Sequence, residues 1–134
     1  MKLSSILLFF GVLLLIPACK EDSLEAMDIY HRCDPDTVYF EQDVFPILKS
    51  RCGIPACHND LSACGDVIIM DYSSLMKSQI ITPGQPKYSG LWISINDTDP
   101  SIRMPLTQKS LDSAQLLLIK TWIEQGALGN RCTP

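Results

Sequence analysis

Apolar residues follow two patterns along the chain, a continuous run near its start and a helical spacing later. Between Ile6 and Ile16 every residue is apolar or glycine, but this run is shorter than the about 20 residues that cross a bilayer. With Lys2 before it, the run is typical of a signal peptide, which we place at residues 1–18. From Val38 onward no stretch alternates as a strand does, so the pattern predicts a mainly α-helical fold.

Four short helices account for the apolar positions of the folded part. The first ends near Arg51, and Pro46 is expected to disturb its early turns. The second covers residues 72–78, and the third covers residues 90–95 with Ser89 as its cap. Long loops rich in proline, glycine, asparagine and aspartate separate them. The apolar stripe on the first helix consists of Val44, Phe45, Ile47 and Leu48.

The last helix has the clearest boundaries. Asp112 and Gln115 have the spacing of a capping box, and Gly126 or Gly129 can end the helix. Its apolar face, at i, i+3 and i+4 spacing, comprises Leu118, Ile119, Trp122, Ile123 and Gly126. The sequence therefore predicts about four short helices joined by long loops.

Composition narrows the class of protein. The chain has 134 residues, with 11 Lys and Arg against 15 Asp and Glu, and this acidic balance disfavours nucleic acid as a partner. Behind the signal peptide we expect a tether at residues 19–37 and one domain at residues 38–134. So small a helical domain buries little apolar area against the entropy of ordering its chain. It therefore needs disulfides, a metal or a large buried cofactor, and six cysteines are present.

The end of the signal peptide suggests a lipid anchor. Ile16-Pro17-Ala18-Cys19 resembles the lipobox of bacterial lipoproteins, in which the cysteine thiol accepts the lipid. This predicts an exported protein, anchored to the outer membrane through acyl chains on Cys19, on either the periplasmic or the cell-surface side. The alternative is ordinary signal cleavage nearby, with Cys19 left as a free or bridged thiol.

One cluster of cysteine and histidine carries the chemistry. Cys52 and Cys57 are separated by four residues, and His58 follows directly. In a c-type haem site two thiols bind the haem vinyl groups and the adjacent histidine ligates the iron. The usual spacer has two residues, but the longer one leaves Cys57 and His58 adjacent. The alternative is a Cys52–Cys57 disulfide in an oxidising compartment; a zinc site is weaker because no second ligand pair follows.

A six-coordinate haem needs a second axial ligand from farther along the chain. Met104 is the candidate, because its loop lies between two predicted helices and Pro105 stiffens it. A thioether stabilises reduced iron and raises the reduction potential. Met70 and Met76 are rivals that lie closer to His58, and Met70 is expected in the core. We assign His31, a further rival, to the tether.

Four segments, in this order, resemble the small monohaem cytochrome c domains of exported Bacteroidetes and Planctomycetes proteins. The resemblance covers about residues 37–132 and is carried by residues 38–48, Cys52–His58, Arg103–Pro105 and 119–127. It implies a cytochrome c-like domain around one covalent haem c. By position it makes Cys52 and Cys57 the thioether donors, His58 the proximal ligand and Met104 the distal ligand.

The resemblance also implies how the chain ends meet. The first and last helices cross in such domains, which would pack the Val44/Leu48 stripe on the Ile119/Trp122/Ile123 face. Crossing would bring Cys33 and Cys132 together, so we favour a disulfide between them. Closing a loop of this length stabilises by up to about 4.7 kcal/mol in the chain-entropy model. Cys64 could instead pair with either one; left free, it is expected to be partly buried and inert.

These observations predict a membrane-tethered electron carrier that exchanges one electron with redox partner proteins. Catalysis is not expected, since both axial positions would be filled. One alternative is a haem-free, disulfide-stapled surface lipoprotein that acts as a binding or structural module. Another is a haem sensor or peroxidase-like enzyme in which Met104 does not ligate. Tyr88 and Trp92 could line a haem edge or fill the core, and we assign them to the core.

Overall fold

A computed structural model describes residues 33–106 and 108–133. This part of the chain contains four α-helices and no β-strand, which confirms the mainly α-helical class. The helices are α1 (Phe45–Arg51), α2 (Tyr72–Lys77), α3 (Gly90–Ile95) and α4 (Ser113–Glu124). The predicted signal peptide, the lipid site at Cys19 and the tether residue His31 lie outside the described residues. None of the described helices combines the length and apolarity needed to cross a membrane.

Helix α1 begins one residue before Pro46. Proline is tolerated in a first helical turn because its missing N–H would have no partner there. A single π-helical turn, Phe40–Val44, leads directly into the helix. The predicted disturbance near Pro46 is therefore a wider turn in front of the helix, and both Val44 and Leu48 remain fully buried.

Helix α4 is fixed at both ends as the sequence predicts. Asp112 Oδ1 accepts a hydrogen bond from Gln115 N at 2.9 Å, and Gln115 Oε1 accepts one from Asp112 N at 3.1 Å. At the other end Gly126 has φ +99°, a conformation that favours glycine. The N–H groups of Gly126 and Ala127 return to Ile123 O and Trp122 O, which is the Schellman pattern.

The main core forms where the chain ends meet. The turn Phe40–Val44 packs against α4, and the Phe40 ring lies 5.3 Å from the Trp122 ring and 5.2 Å from the Tyr72 ring, centroid to centroid. Val44, Ile119, Trp122 and Ile123 belong to the same buried cluster. The face expected on α4 is thus buried, but Phe40, which the sequence analysis does not select, lies at its centre.

Both ends of the described chain are attached to this core. Cys33 and Cys132 form a disulfide with Cα atoms 5.6 Å apart, and this is the pair that the sequence analysis favours. Asn130 Oδ1 accepts a hydrogen bond from Phe40 N at 2.8 Å. Gln125 Nε2 donates to Asp36 O at 2.7 Å. Cys33 and Asp36, although within the predicted tether, are therefore held against the segment that follows α4.

Ser89 occupies the N-cap position of α3, but its side chain does not cap the helix. Its hydroxyl accepts a hydrogen bond from Thr82 N at 2.9 Å and donates to Gln85 O at 3.1 Å. The capping role predicted for Ser89 is therefore wrong: the buried hydroxyl instead satisfies the backbone of the preceding loop.

Candidate functional site

One cavity of about 450 Å³ lies between the loops that follow α1 and α3. Its volume falls within the about 300–1,000 Å³ range of cofactor and small-molecule sites. All four predicted haem-binding residues, Cys52, Cys57, His58 and Met104, lie on its wall. The rest of the wall is mostly apolar and consists of Arg51, Ala56, Cys64, Gly65, Val67, Ile69, Ile80, Gly90, Leu91, Ser94, Ile95, Pro105, Leu106 and Gln108.

The long spacer between the two thiols folds back on itself. Cys52 is the residue that caps the C-terminus of α1, with its N–H bonded to Leu48 O at 2.9 Å. Cys57 N donates to Ile54 O at 3.1 Å. His58 N then donates to Cys52 O at 3.1 Å. The four-residue spacer is therefore a closed loop that returns the histidine to the first cysteine.

The segment around Ile69 also supports this loop through its backbone. Ile69 N donates to His58 O at 2.8 Å, so the segment after the loop runs beside it. A Cβ atom on Gly53 would lie only 2.3 Å from Ile69 O. Glycine is therefore required at position 53 by close backbone approach, and Ala56 in the same spacer adopts φ +65°.

The cysteines of the site are free thiols in the structure, so no Cys52–Cys57 bond is present. Burial raises the pKa of the Cys52 thiol to about 11; the charge of Arg51 opposes this rise and Cys57 adds to it. Since the thiolate is the form that attacks a disulfide, Cys52 is poorly reactive toward disulfide exchange at neutral pH.

Met104 reaches the cavity on a separate loop. Its N–H donates to Ser94 O at 2.9 Å, which fastens the loop to α3, and Arg103 N donates to Asp99 O at 2.9 Å. Of the rival methionines, Met76 packs against the core, and neither it nor Met70 lines the cavity. The core position expected for Met70 is wrong, since Met70 is 37% exposed and Ile69 is buried in its place.

Three other expectations near the site have clear outcomes. Cys64, expected to be partly buried, is exposed and lines the cavity, with its N–H bonded to Cys57 O at 3.0 Å. Tyr88, assigned to the core, is 61% exposed and does not line the cavity. Trp92 is partly buried against the core, as predicted. Both residues belong to short 3-10 turns and not to α-helices: Cys64 begins the turn Cys64–Asp66, and Tyr88 ends the turn Pro86–Tyr88.

Two buried side-chain nitrogens in the described part of the chain have no hydrogen-bond partner, and both belong to residues of the cavity wall. They are His58 Nδ1 and Arg51 Nε. Buried polar atoms are nearly always paired, so these two nitrogens are available to pair with a group bound in the cavity. The sequence analysis does not identify Arg51 as part of the site, although its place directly before Cys52 is a usable signal.

The donor set fits haem c. Two thiols, one imidazole and one thioether share a mostly apolar cavity, which is the ligand chemistry of a covalent His/Met haem. No group of three or more His, Cys, Asp and Glu side chains able to hold a metal ion occurs within residues 33–106 and 108–133. A haem iron does not need such a group, because the porphyrin nitrogens provide the other ligands.

Residues 55–105 match the model of a family described as Planctomycete cytochrome C. The match supports a cytochrome c-like domain. The matched segment begins inside the spacer and ends at Pro105, so it contains Cys57, His58 and Met104. Cys52 and helix α4 lie outside it. Comparisons with curated proteins and with solved structures gave no match.

Proposed function

We propose that this protein is a membrane-tethered c-type cytochrome that carries one electron between redox partner proteins through one covalent haem. The observation that carries the proposal is the shared cavity. Met104 is remote in sequence from the Cys52–His58 loop, yet both line the same cavity. The match to Planctomycete cytochrome C supports the same class of protein and an electron carrier rather than an enzyme.

Each residue then has a chemical role. Cys52 and Cys57 would hold the haem through two thioethers, since each S–H can add across one vinyl group without a leaving group. His58 would be the proximal ligand, because its adjacency to Cys57 limits where its imidazole can lie. Met104 would be the distal ligand, and a soft thioether favours reduced iron.

When bound, the haem supplies a one-electron redox couple. The protein's part is to hold the cofactor in one orientation and to limit its contact with water. Ile69, Leu91 and Ile95 give the wall buried apolar surface, and an apolar shell controls solvent access and the reduction potential. Exposed Leu106 and Cys64 line the same cavity, so one side of it opens to solvent, where an electron partner can approach.

Haem staining tests the proposal most directly. The chain is produced in bacteria together with haem-attachment machinery and run on a denaturing gel. The wild-type band should stain, and its mass should exceed that of the processed, lipidated chain by one haem. Cys52→Ser should leave one thioether, seen as a shift of the haemochrome α band, whereas the matched Cys64→Ser variant should keep two. A colourless wild-type band would contradict the proposal.

A haem-free lipoprotein is the second candidate, and the Cys33–Cys132 disulfide favours it to some degree. A stapled domain with a packed core could serve as a binding or structural module without any pigment. The two candidates differ in what reduction and staining reveal. A haem-free module has no stain and becomes fully alkylatable after reduction, whereas thioethers at Cys52 and Cys57 resist reduction and alkylation.

A sensor or peroxidase-like protein would leave one axial position of the iron open. Met104→Leu tests this possibility because it removes the sulfur with little change in volume. Under the electron-carrier proposal the far-red thioether–iron absorption band disappears and the reduction potential falls. Met76→Leu, away from the cavity, should change neither. An unchanged spectrum in Met104→Leu would show that Met104 is not a ligand.

The membrane location is a separate part of the proposal. We infer lipidation at Cys19 from the lipobox, with anchoring at the outer membrane on the periplasmic or cell-surface side. An alkyne fatty acid supplied to the cells should label the wild-type chain and not the Cys19→Ser variant. Protease treatment of intact cells then reports which side the domain occupies. A wild-type chain that stays unlabelled would exclude the anchor while leaving the haem proposal intact.

A further inference from the structure

The cavity wall carries a single ionised side chain among the described residues, and it is a cation. Arg51 is the last residue of α1, and no Asp, Glu or Lys shares the wall with it. Arginine stays charged under all ordinary conditions. A ligand that fits this wall therefore combines an apolar body with at least one acidic group.

Within the described residues, the Arg51 guanidinium has one hydrogen-bonded nitrogen and one buried nitrogen without a partner. Arg51 Nη2 donates a hydrogen bond to the backbone carbonyl of Lys109, which fixes the planar group at the cavity. Its Nε–H is buried and has no partner. The guanidinium has five N–H donors in a rigid fork that suits carboxylate oxygens, so a buried, unused donor on this fork marks the place of an acceptor.

No other polar wall side chain among the described residues, Gln108 included, accepts a hydrogen bond from Arg51 Nε. Ser94 Oγ already donates to Gly90 O at 2.8 Å, and His58 belongs to the iron-ligand set proposed above. A donor that is shielded from water and has no acceptor is unfavourable. We therefore expect the acceptor for the buried Arg51 Nε–H to come with the ligand.

We propose that Arg51 binds a carboxylate of the cofactor, which for haem is a propionate, through its Nε–H. This inference rests on the proposed function. Together with the two proposed thioethers, this contact would fix the orientation of the haem within the cavity. It would also offset the negative charge of the propionate, which makes electron uptake by the iron easier.

Substitutions at Arg51 test this pairing in the full-length, haem-loaded protein. Arg51→Gln removes the charge and the Nε donor, and Arg51→Lys removes the donor while keeping the charge. Arg131→Gln is the matched control, because Arg131 pairs with Glu41 at 3.7 Å and does not line the cavity. The readouts are the propionate bending bands in the resonance Raman spectrum and the reduction potential.

In Arg51→Gln the propionate bands should move, and the reduced-to-oxidised ratio at a fixed ambient potential should fall about tenfold, equivalent to about 59 mV. Arg51→Lys should move the bands with less than about a third of that potential shift, since its charge remains. Arg131→Gln should change neither readout. If Arg51→Gln does not accumulate, the bands of Arg51→Lys decide.

Unchanged propionate bands in a variant that carries haem would overturn the inference. That result differs from failure of the proposed function, in which the wild-type chain itself carries no haem and gives no stain.

Discussion

The region where the chain ends meet and the region around the cavity are built in different ways. Where the ends meet, the space between the π-helical turn Phe40–Val44 and α4 is filled by side chains that are at most 1% exposed, those of Phe40, Trp122 and Ile123. Around the cavity, loops enclose about 450 Å³ that no side chain fills. Protein interiors are close-packed, with few voids larger than a water molecule.

This difference indicates which part of the molecule supports itself. We call the first region the terminal core, formed by Phe40, Val44, Ile119, Trp122 and Ile123 with the Cys33–Cys132 disulfide. The terminal core is complete without a ligand, whereas the cavity wall has two unpartnered buried nitrogens. We therefore expect substitutions in the terminal core to act on unfolding and substitutions at the cavity to act mainly on the cofactor.

The largest effect is expected from Trp122→Ala. The indole is 1% exposed, lies tilted against the Phe40 ring and donates a hydrogen bond from Nε1 to Leu128 O at 2.9 Å. Its removal should lower the free energy of unfolding by about 3–5 kcal/mol, measured by urea denaturation with circular dichroism. Leu117→Ala, on the same helix but 62% exposed, should change it by less than about 0.5 kcal/mol. Equal losses would mean that the terminal core is not built around Trp122.

The next effect in size is loss of the disulfide. The double variant Cys33→Ser/Cys132→Ser releases a constraint that spans a sequence separation of 99 residues, and it should lower the free energy of unfolding by about 2–4 kcal/mol. Haem staining should persist, because neither cysteine lines the cavity. Cys64→Ser is the control and should leave the unfolding curve in place. Loss of haem stain in the double variant would contradict the separation of the two regions.

Sequence reasoning predicted the terminal core and the helices better than the details of the loops. The capping box at Asp112 and the apolar face of α4 are local patterns, so they can be recognised without knowledge of the fold. The burial of Phe40 was not predicted because this residue lies in a π-helical turn, where the spacing of apolar residues differs from that of an α-helix. The role of Ser89 was not predicted because its hydroxyl forms hydrogen bonds with the preceding loop and not with the helix that follows it.

At the candidate site the motif predicted which ligand residues come together, but not the other residues that surround them in the cavity. The Cys52–His58 spacing and the Met104 loop were sufficient to select four residues that share one wall. Arg51 and the exposure of Cys64 depend on how loops distant in sequence fold over the cavity. The need for glycine at position 53 also depends on such a contact, because only the approach of Ile69 O creates it.

A smaller effect, confined to the cavity region, is expected from Gly53→Ala. The added methyl group would meet the backbone carbonyl of Ile69, and Ile69 in turn binds His58 O. Relief of this overlap should cost about 1–3 kcal/mol and displace the histidine, so the yield of haem-stained protein should fall. Gly90→Ala, also on the wall, places its methyl 3.7 Å from Ile80 and should stain normally. Equal yields would mean that the loop tolerates the shift.

The smallest effect concerns α2, which contacts both regions. Tyr72 of α2 packs on Phe40 of the terminal core. At the other end of the helix, Ser78 Oγ accepts a hydrogen bond at 2.9 Å from the N–H of Ile68, whose neighbours Val67 and Ile69 line the cavity. Asp71 caps α2 by accepting a hydrogen bond from Ser74 N at 2.7 Å, and this backbone bond lowers the pKa of its carboxyl below 3.8. A carboxyl whose pKa is lower in the folded than in the unfolded protein stabilises the fold at pH values above its unfolded-state pKa. This contribution is lost as the pH falls through the folded-state pKa.

Asp71→Asn keeps a capping oxygen but cannot titrate, so it isolates this contribution. The wild-type protein should lose more stability than Asp71→Asn between neutral pH and a pH below 3.8, measured by urea denaturation at each pH. Asp34 and Asp99, whose carboxyls also have lowered pKa values, are present in both chains and cancel in the comparison. Because the carboxyl is exposed, the difference should be the smallest of the series. Parallel pH profiles would mean that the cap contributes equally in both protonation states, and that α2 is held by Tyr72 and Leu75 in the core instead.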